Sequence, residues 1–413
     1  MYYTLYHNKS YIKKEYLLLL PLFILQPFIA TLSAIFILGA NSHNEREYKL
    51  LFFVISLFLS LLAFTQKTDV GDISRVYYNI ETASYLGIKE YIAYSFITDK
   101  YILFSILNQI IYQLTGNVQY ISLFWVFILY YCTFLSILNF YKYRNLKPKN
   151  DQILVITIAC LFCFIMFTQV TEIMKQAVCT SLALLAYSNY LLGNKKRMIL
   201  IVILACGVHF SIFLLSPIFL SKSLKQRIII AMVLFSFVCR QFNLMELTIT
   251  IISKIGGFAK ILGVAEYYNA DLDGFFDISA PFFKYSYLFY IILTLFTYLF
   301  FKRKDNYLIN ACLLMICVLN INYSVSHNIT RMLTMMYPFY LMLIIDLMQN
   351  SKYKKHLKYC VIAFTLLITL VFNYRMAYDR LSINGTYPTS FMNNSVLDIV
   401  ISPSFSYLMF KYN

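Results

Sequence analysis

The feature that most constrains this chain is a series of unbroken apolar runs, each about as long as a bilayer is thick. A hydrocarbon core of about 30 Å is crossed by about 20 apolar residues in a helix. Runs of that order recur at residues 17–40, 49–65, 118–141, 152–170, 176–192, 228–243, 285–301, 307–323, 332–349 and 359–378. In lipid every backbone N–H and C=O needs an internal partner, which leaves helices or a closed barrel. Barrel strands alternate apolar and polar residues over about ten positions, whereas these runs are continuous. The expected fold is therefore all-α, a polytopic bundle of about 10 to 12 membrane segments, and with no repeat or linker in view residues 1–413 read as one domain.

Two stretches leave alternatives open. Residues 101–116 are apolar but carry Asn108, Gln109 and Gln113, so they could lie along the membrane surface. Residues 198–220 have basic clusters at both ends, which one crossing would place on opposite sides. A re-entrant hairpin with its tip at residues 207–211 would keep both on one side, provided it is buried in protein.

Composition excludes a soluble enzyme: 60% of the 413 residues are apolar and 13% charged, against roughly a quarter charged in soluble domains. The net charge of +16 is not a nucleic-acid footprint, because Lys and Arg fall in short clusters between the apolar runs. These are Lys142, Arg144, Lys147 and Lys149; Lys195, Lys196 and Arg197; Lys222, Lys225 and Arg227; Lys302, Arg303 and Lys304; and Lys352, Lys354, Lys355 and Lys358. Basic connections favour the cytoplasm, which leaves residues 66–117, 171–175, 244–284, 324–331 and the tail after Tyr378 outside. Lys9, Lys13 and Lys14 argue for a cytoplasmic start as well. Two crossings by residue 65 would then put residues 66–117 inside, a conflict of parity. A cleavable signal peptide is not expected, since residues 17–40 outrun an h-region of about 7 to 15 residues. The nine Cys lie in or beside apolar runs and read as small packers. Cys160 and Cys163 have the Cys-x-x-Cys spacing but no second ligand pair nearby, so no metal or redox site is expected.

The chemistry should then sit in the external segments. After the second run come Asp69, Asp72, Arg75, Tyr77 and Tyr78. Two carboxylates beside an Arg and two Tyr could bind a sugar and deprotonate its hydroxyl; equally, Asp72 could simply cap a helix. Lys175 follows Glu172 and opens the run beginning at Gln176. A cation at a helix N-terminus suits an anionic diphosphate, though a lysine there could also just snorkel to the interface. Arg331, after His327, Asn328 and Thr330, holds a comparable place, and its donor fork matches phosphate. His209 lies in the middle of an apolar stretch. An ionisable residue at membrane depth is a functional candidate, with a neutral His satisfied by a neighbouring helix as the competing account. No Walker loop, nucleotide fingerprint, His-Glu-x-x-His or nucleophile elbow occurs, which disfavours nucleotide-driven transport and metalloprotease chemistry.

At these residues the sequence resembles the EpsG-type, Wzy-like polymerases of bacterial exopolysaccharide, capsule and O-antigen. The resemblance is carried by Asp72-x-x-Arg75-x-Tyr77-Tyr78, by Gly116-Asn117, by Lys175-Gln176-Ala177, by Gly207-Val208-His209-Phe210-Ser211 and by Arg331. Family members commonly have Arg-Gln-x-x-Ala where this chain has Lys175-Gln176-Ala177-Val178-Cys179, which keeps the charge and loses the bidentate fork. The resemblance implies a multi-pass protein of the bacterial cytoplasmic membrane, similar to membrane glycosyltransferases of the GT-C type. It would transfer a glycan from undecaprenyl diphosphate to a sugar hydroxyl of the next lipid-linked repeat unit at the outer face. It also implies that Asp72 or Asp69 acts as base, that Lys175, Arg331 and Arg75 stabilise diphosphate, and that His209 orients a phosphate or hydroxyl. Gln176 and Tyr78 would add substrate contacts. Lipid-linked oligosaccharides, the bilayer, a chain-length regulator and a flippase are the implied partners, with no cofactor and no nucleic acid. The rival class is itself a lipid-linked oligosaccharide flippase. Transporters often show duplicated halves, and none is visible here.

Overall fold

The computed structural model describes residues 11–40, 42–65, 72–98, 101–165, 174–209, 211–242, 280–300, 306–321, 326–349 and 394–401, together with residues 359, 362–363, 366–367 and 370. Among the described residues every element is a helix, and the chain divides into two compact units, residues 1–212 with 373–413 and residues 213–372.

The first unit opens with α1 (Lys14–Leu17), α2 (Leu19–Leu25) and α3 (Pro27–Ala40). The expected span at 17–40 is broken between α2 and α3. Pro27 pushes its predecessor away from helical geometry, and Gln26 has φ −147° and ψ 83°. As one straight helix, residues 14–40 would be about 40 Å long, yet their two ends meet. The Lys13 N–H donates to Glu47 Oε1 (3.3 Å) and Asn44 Nδ2 donates to the Tyr11 carbonyl (3.1 Å). This run is a helical hairpin whose ends lie side by side, not a single crossing.

The hairpin leads into α4 (Glu45–Phe64), which starts from a capping box: the Asn44 side chain accepts from Glu47 N–H, and Glu47 accepts from Asn44 N–H. After α5 (Asp72–Thr82), α6 (Ile88–Thr98) and α7 (Ile102–Thr115) comes α8 (Gln119–Tyr143). Among the described residues, α4 and α8 alone are both long and apolar enough to cross a membrane. They are antiparallel: Phe52 stacks on Phe134 at 4.4 Å, and Gln119 Nε2 donates to the Phe64 carbonyl (2.5 Å). The join between α7 and α8 explains the Gly116-Asn117 pair. Gly116 ends α7 at φ 66°, a left-handed conformation that favours glycine, and the Asn117 side chain accepts from Gln119 N–H (2.9 Å).

Helix α9 (Asn150–Ala159) continues into a π-helical turn, Cys160–Phe164. Beyond it lie α10 (Met174–Leu191), α11 (Lys195–Val208) and α12 (Ser211–Leu215), the last leading into the second unit. Asn139 on α8 donates to Ser188 on α10 (3.1 Å), so α8 and α10 run in the same direction. The first unit thus has two distinct ends. One gathers Tyr11–Lys13, His43–Glu47, Lys142–Lys149 and Leu191–Lys195. The other gathers the end of α4, the starts of α8 and α10, and the end of α11.

The second unit begins with a 3-10 stretch, Ser216–Lys222, followed by α13 (Gln226–Gln241), α14 (Ala280–Phe300), α15 (Tyr307–Ile321) and α16 (Ser326–Gln349). Helix α15 is its centre and is buried along nearly all its length. At one end Asn310 donates to the Ser221 carbonyl (3.2 Å) and Lys222 lies over the Tyr307 ring. The opposite end holds the C-termini of α13 and α15 and the starts of α14 and α16. A last helix, α17 (Val396–Ile401), belongs to the first unit.

Beside an apolar core, large apolar side chains are exposed and several polar ones are buried. Leu18, Leu25, Phe36, Ile203, Phe235 and Leu299 are exposed, while Thr133, Ser136, Asn189, Asn310 and Asn320 are buried. Apolar faces turned outward over a polar-studded interior suit lipid and not water.

Candidate active site

The site is best defined around His209. Helix α11 ends at Val208, and His209 has extended backbone (φ −161°, ψ 141°), so the apolar stretch at 198–220 breaks within residues 207–211, where a hairpin tip was the alternative to a single span. Its Nδ1 accepts the Ser211 N–H (3.1 Å), which leaves the proton of a neutral imidazole on Nε2. The ring is buried and stacks on Tyr101, with centroids 4.7 Å apart and planes 14° from parallel. Its carbonyl accepts from the Cys179 thiol (3.4 Å), one turn along α10 from Lys175.

Tyr101 is the N-cap of α7, and it links His209 to Lys175. The Lys175 ammonium lies 5.2 Å from the Tyr101 ring centroid and 5.4 Å from that of Phe104, a paired cation–π contact. Phe104 stacks on Trp125 at 4.9 Å, and Trp125 Nε1 donates to Asn108 Oδ1 (2.6 Å). The polar residues of 101–116 are packed into the protein. Asn108 and Gln109 are buried, and the Gln109 and Gln113 amides reach the Leu86 carbonyl. Gly207 permits the close approach of α11 and α7, for a Cβ there would stand 2.6 Å from Leu103 Cβ. Gln176 is buried beside Lys175 in the first turn of α10.

Helix α5 is placed at the same end. Ile73, Val76, Tyr77 and Ile80 are buried, and the Tyr77 hydroxyl donates to Ser122 Oγ (2.8 Å), which itself donates to the Ala63 carbonyl. Arg75 and Tyr78 are exposed, three residues apart on the other face. Asp72 is the first residue of α5; Asp69 lies outside the described residues. Among the described residues, the side chains of Arg75 and Tyr78 do not join the group formed by Lys175, Tyr101 and His209. Arg331 belongs to the second unit, and α16 begins five residues before it. It therefore stands past the four unpaired N–H groups of that helix start, contrary to the expectation that it opens the helix.

The structure adds residues that the sequence did not single out. Tyr101, Phe104 and Trp125 complete the Lys175 and His209 group. In the second unit, Arg240 near the end of α13 donates to the Tyr287 hydroxyl (3.1 Å), its guanidinium 5.0 Å from that ring's centroid. Tyr287 donates to Asn320 Oδ1, and Asn320 Nδ2 donates to Ser236 Oγ (2.8 Å). Arg240 was legible only as one charge at the end of an apolar run, and its partners come from helices distant in sequence.

Among the described residues the protein is a helical bundle, and in the first unit the candidate residues Lys175 and His209 stand at the end opposite the basic connections at 142–149 and 195–197, a class that sequence comparison narrows. The chain belongs to the EpsG family, whose model matches residues 48–388, and this family is of the Wzy-like polymerase type. The match includes every candidate residue and leaves the N-terminal hairpin outside. At the level of the family, the chain is a membrane protein of polysaccharide polymerisation. No curated protein and no solved structure matches it.

Proposed function

We propose that this protein joins lipid-linked repeat units at the outer face of the bacterial cytoplasmic membrane, using undecaprenyl diphosphate as the glycan carrier. One observation carries the reading. In the first unit, Arg75, Tyr78, Lys175, Gln176 and His209 lie at one end, while Lys142, Arg144, Lys147, Lys149, Lys195, Lys196 and Arg197 lie at the other. With the basic end in the cytoplasm, the candidate residues face outward. The hairpin removes the parity conflict, since residues 11–44 enter and leave at the basic end and α4 is then the first crossing.

The chemistry is transfer of a glycan from diphosphate to hydroxyl. The anomeric C–O bond to diphosphate breaks, a glycosidic bond forms to the acceptor oxygen, and the hydroxyl proton passes to Asp72 or Asp69 as general base. Negative charge grows on the departing diphosphate, so fixed cations in poorly solvated surroundings stabilise that state. Lys175, held against two rings, is the candidate cation of the first unit, Arg331 is a separate candidate in the second, and Arg75 lies exposed on α5. His209, held by the Ser211 N–H at Nδ1 and by stacking on Tyr101, orients a phosphate or sugar hydroxyl. The glycosyl bond is already activated, and no nucleotide is required.

The test is Asp72→Asn against Asp69→Asn in cells lacking the native protein. One of the two should abolish polymer while the protein accumulates at the normal level. Normal polymer from both variants would remove the base from this loop.

A further inference from the structure

We infer that Arg240 is a second guanidinium of the anion-binding machinery, acting with Arg331 on the diphosphate of a lipid-linked substrate; this deepens the function proposed above and rests on it. Both residues belong to the same unit and lie toward the same end. Helix α15 ends at Ile321 and α16 begins at Ser326, so the start of α16 sits at the end of the unit that holds Asn320. Asn320 is tied by hydrogen bonds to Ser236, one turn before Arg240, and to Tyr287, the partner of Arg240. Arg331 is the sixth residue of α16, within two turns of that end.

Arg240 has the marks of a positioned cation. It is half-buried on a helix of mean apolar character, with its guanidinium turned onto Tyr287, which is itself 1% exposed. Tyr287, Asn320 and Ser236 are all buried and lock three helices together around it. A guanidinium orientated in this way is pre-organised, so little rotamer freedom is lost when an anion binds. The carbonyl end of α13 repels anions, and the full charge of Arg240 more than offsets that partial charge. Diphosphate is the fitting ligand class, because planar N–H pairs match its oxygens bidentately. Tyr287 would be a positioning residue.

The experiment uses the full chain in lipid nanodiscs, titrated with undecaprenyl diphosphate and, in parallel, with the uncharged undecaprenol. Arg240→Ala should weaken diphosphate binding by about tenfold or more, the loss of a charged hydrogen bond, with undecaprenol binding unchanged. Arg240→Lys should recover part of the affinity, and Tyr287→Phe should lose a smaller part. If Arg240→Ala does not accumulate, Arg240→Lys decides, with an affinity equal to wild type overturning the inference. Wild-type affinity in Arg240→Ala overturns it directly and leaves the polymerase reading standing. A wild-type protein that does not distinguish diphosphate from undecaprenol would overturn both.

Discussion

At the scale of single residues, Tyr101 is the hinge of the site. It stacks on His209 and carries Lys175 over its face, so its ring fixes both groups at once. A cation–π contact in a partly desolvated place contributes about 1 to 2 kcal/mol. Tyr101→Ala should therefore lower polymerisation roughly five- to thirtyfold, whereas Tyr101→Phe, which keeps the ring, should stay close to wild type. The rate at saturating lipid-linked substrate, measured on reconstituted protein, checks this. Equal rates for Ala and Phe would remove the ring from the mechanism. Lys175 and His209 were legible in the sequence because charge is conspicuous inside apolar runs. Tyr101 was not, being one of 37 tyrosines, and its role exists only once α7, α10 and α11 meet.

At the scale of elements, the sequence placed helices well and misjudged what interrupts them. The length of the apolar runs was enough for α4 and α8, but the break at Gln26 depends on a single proline and on the return of the chain to Glu47. The join between α3 and α4 shows why that return holds. His43 is wholly enclosed, with Nε2 on the Ile37 carbonyl (2.9 Å) and its ring between Tyr16 and Tyr48. Burial holds its pKa below the ordinary 6.5, helped by Lys13, while the Ile37 carbonyl and Glu47 pull the other way. The unfolded chain then binds more protons than the folded one in the window below 6.5. The contribution of His43 is complete above that pH and is lost as pH falls through the depressed value. Thermal unfolding in detergent should thus show a midpoint that drops between neutral pH and mildly acidic pH, and His43→Gln should flatten the slope. An unchanged slope in His43→Gln would show that this join does not carry the pH response.

At the scale of the whole molecule, the legible part was the distribution of charge, and the illegible part was which residues share an end. The five basic connections were visible as clusters, yet that Lys175 and His209 stand together opposite the two of them in the first unit, at 142–149 and 195–197, follows from α8 and α10 running parallel and α11 returning between the same ends. This arrangement separates a polymerase from a flippase by what each leaves behind. Lys175 and Arg331 would neutralise charge that develops only as diphosphate departs, so removing either should slow transfer more than binding. Arg331→Ala, and less severely Lys175→Ala, should leave single repeat units on lipid at the outer face, whereas a flippase defect would trap them at the inner face. Arg331→Lys should recover only part of the activity, since a point charge does not reproduce a bidentate fork. Lipid-linked glycans extracted from cells carrying each variant would be sized, and their sidedness probed with an impermeant glycosidase. Inward-facing single units would overturn the polymerase reading, and wild-type polymer lengths in both alanine variants would take these two cations out of the site.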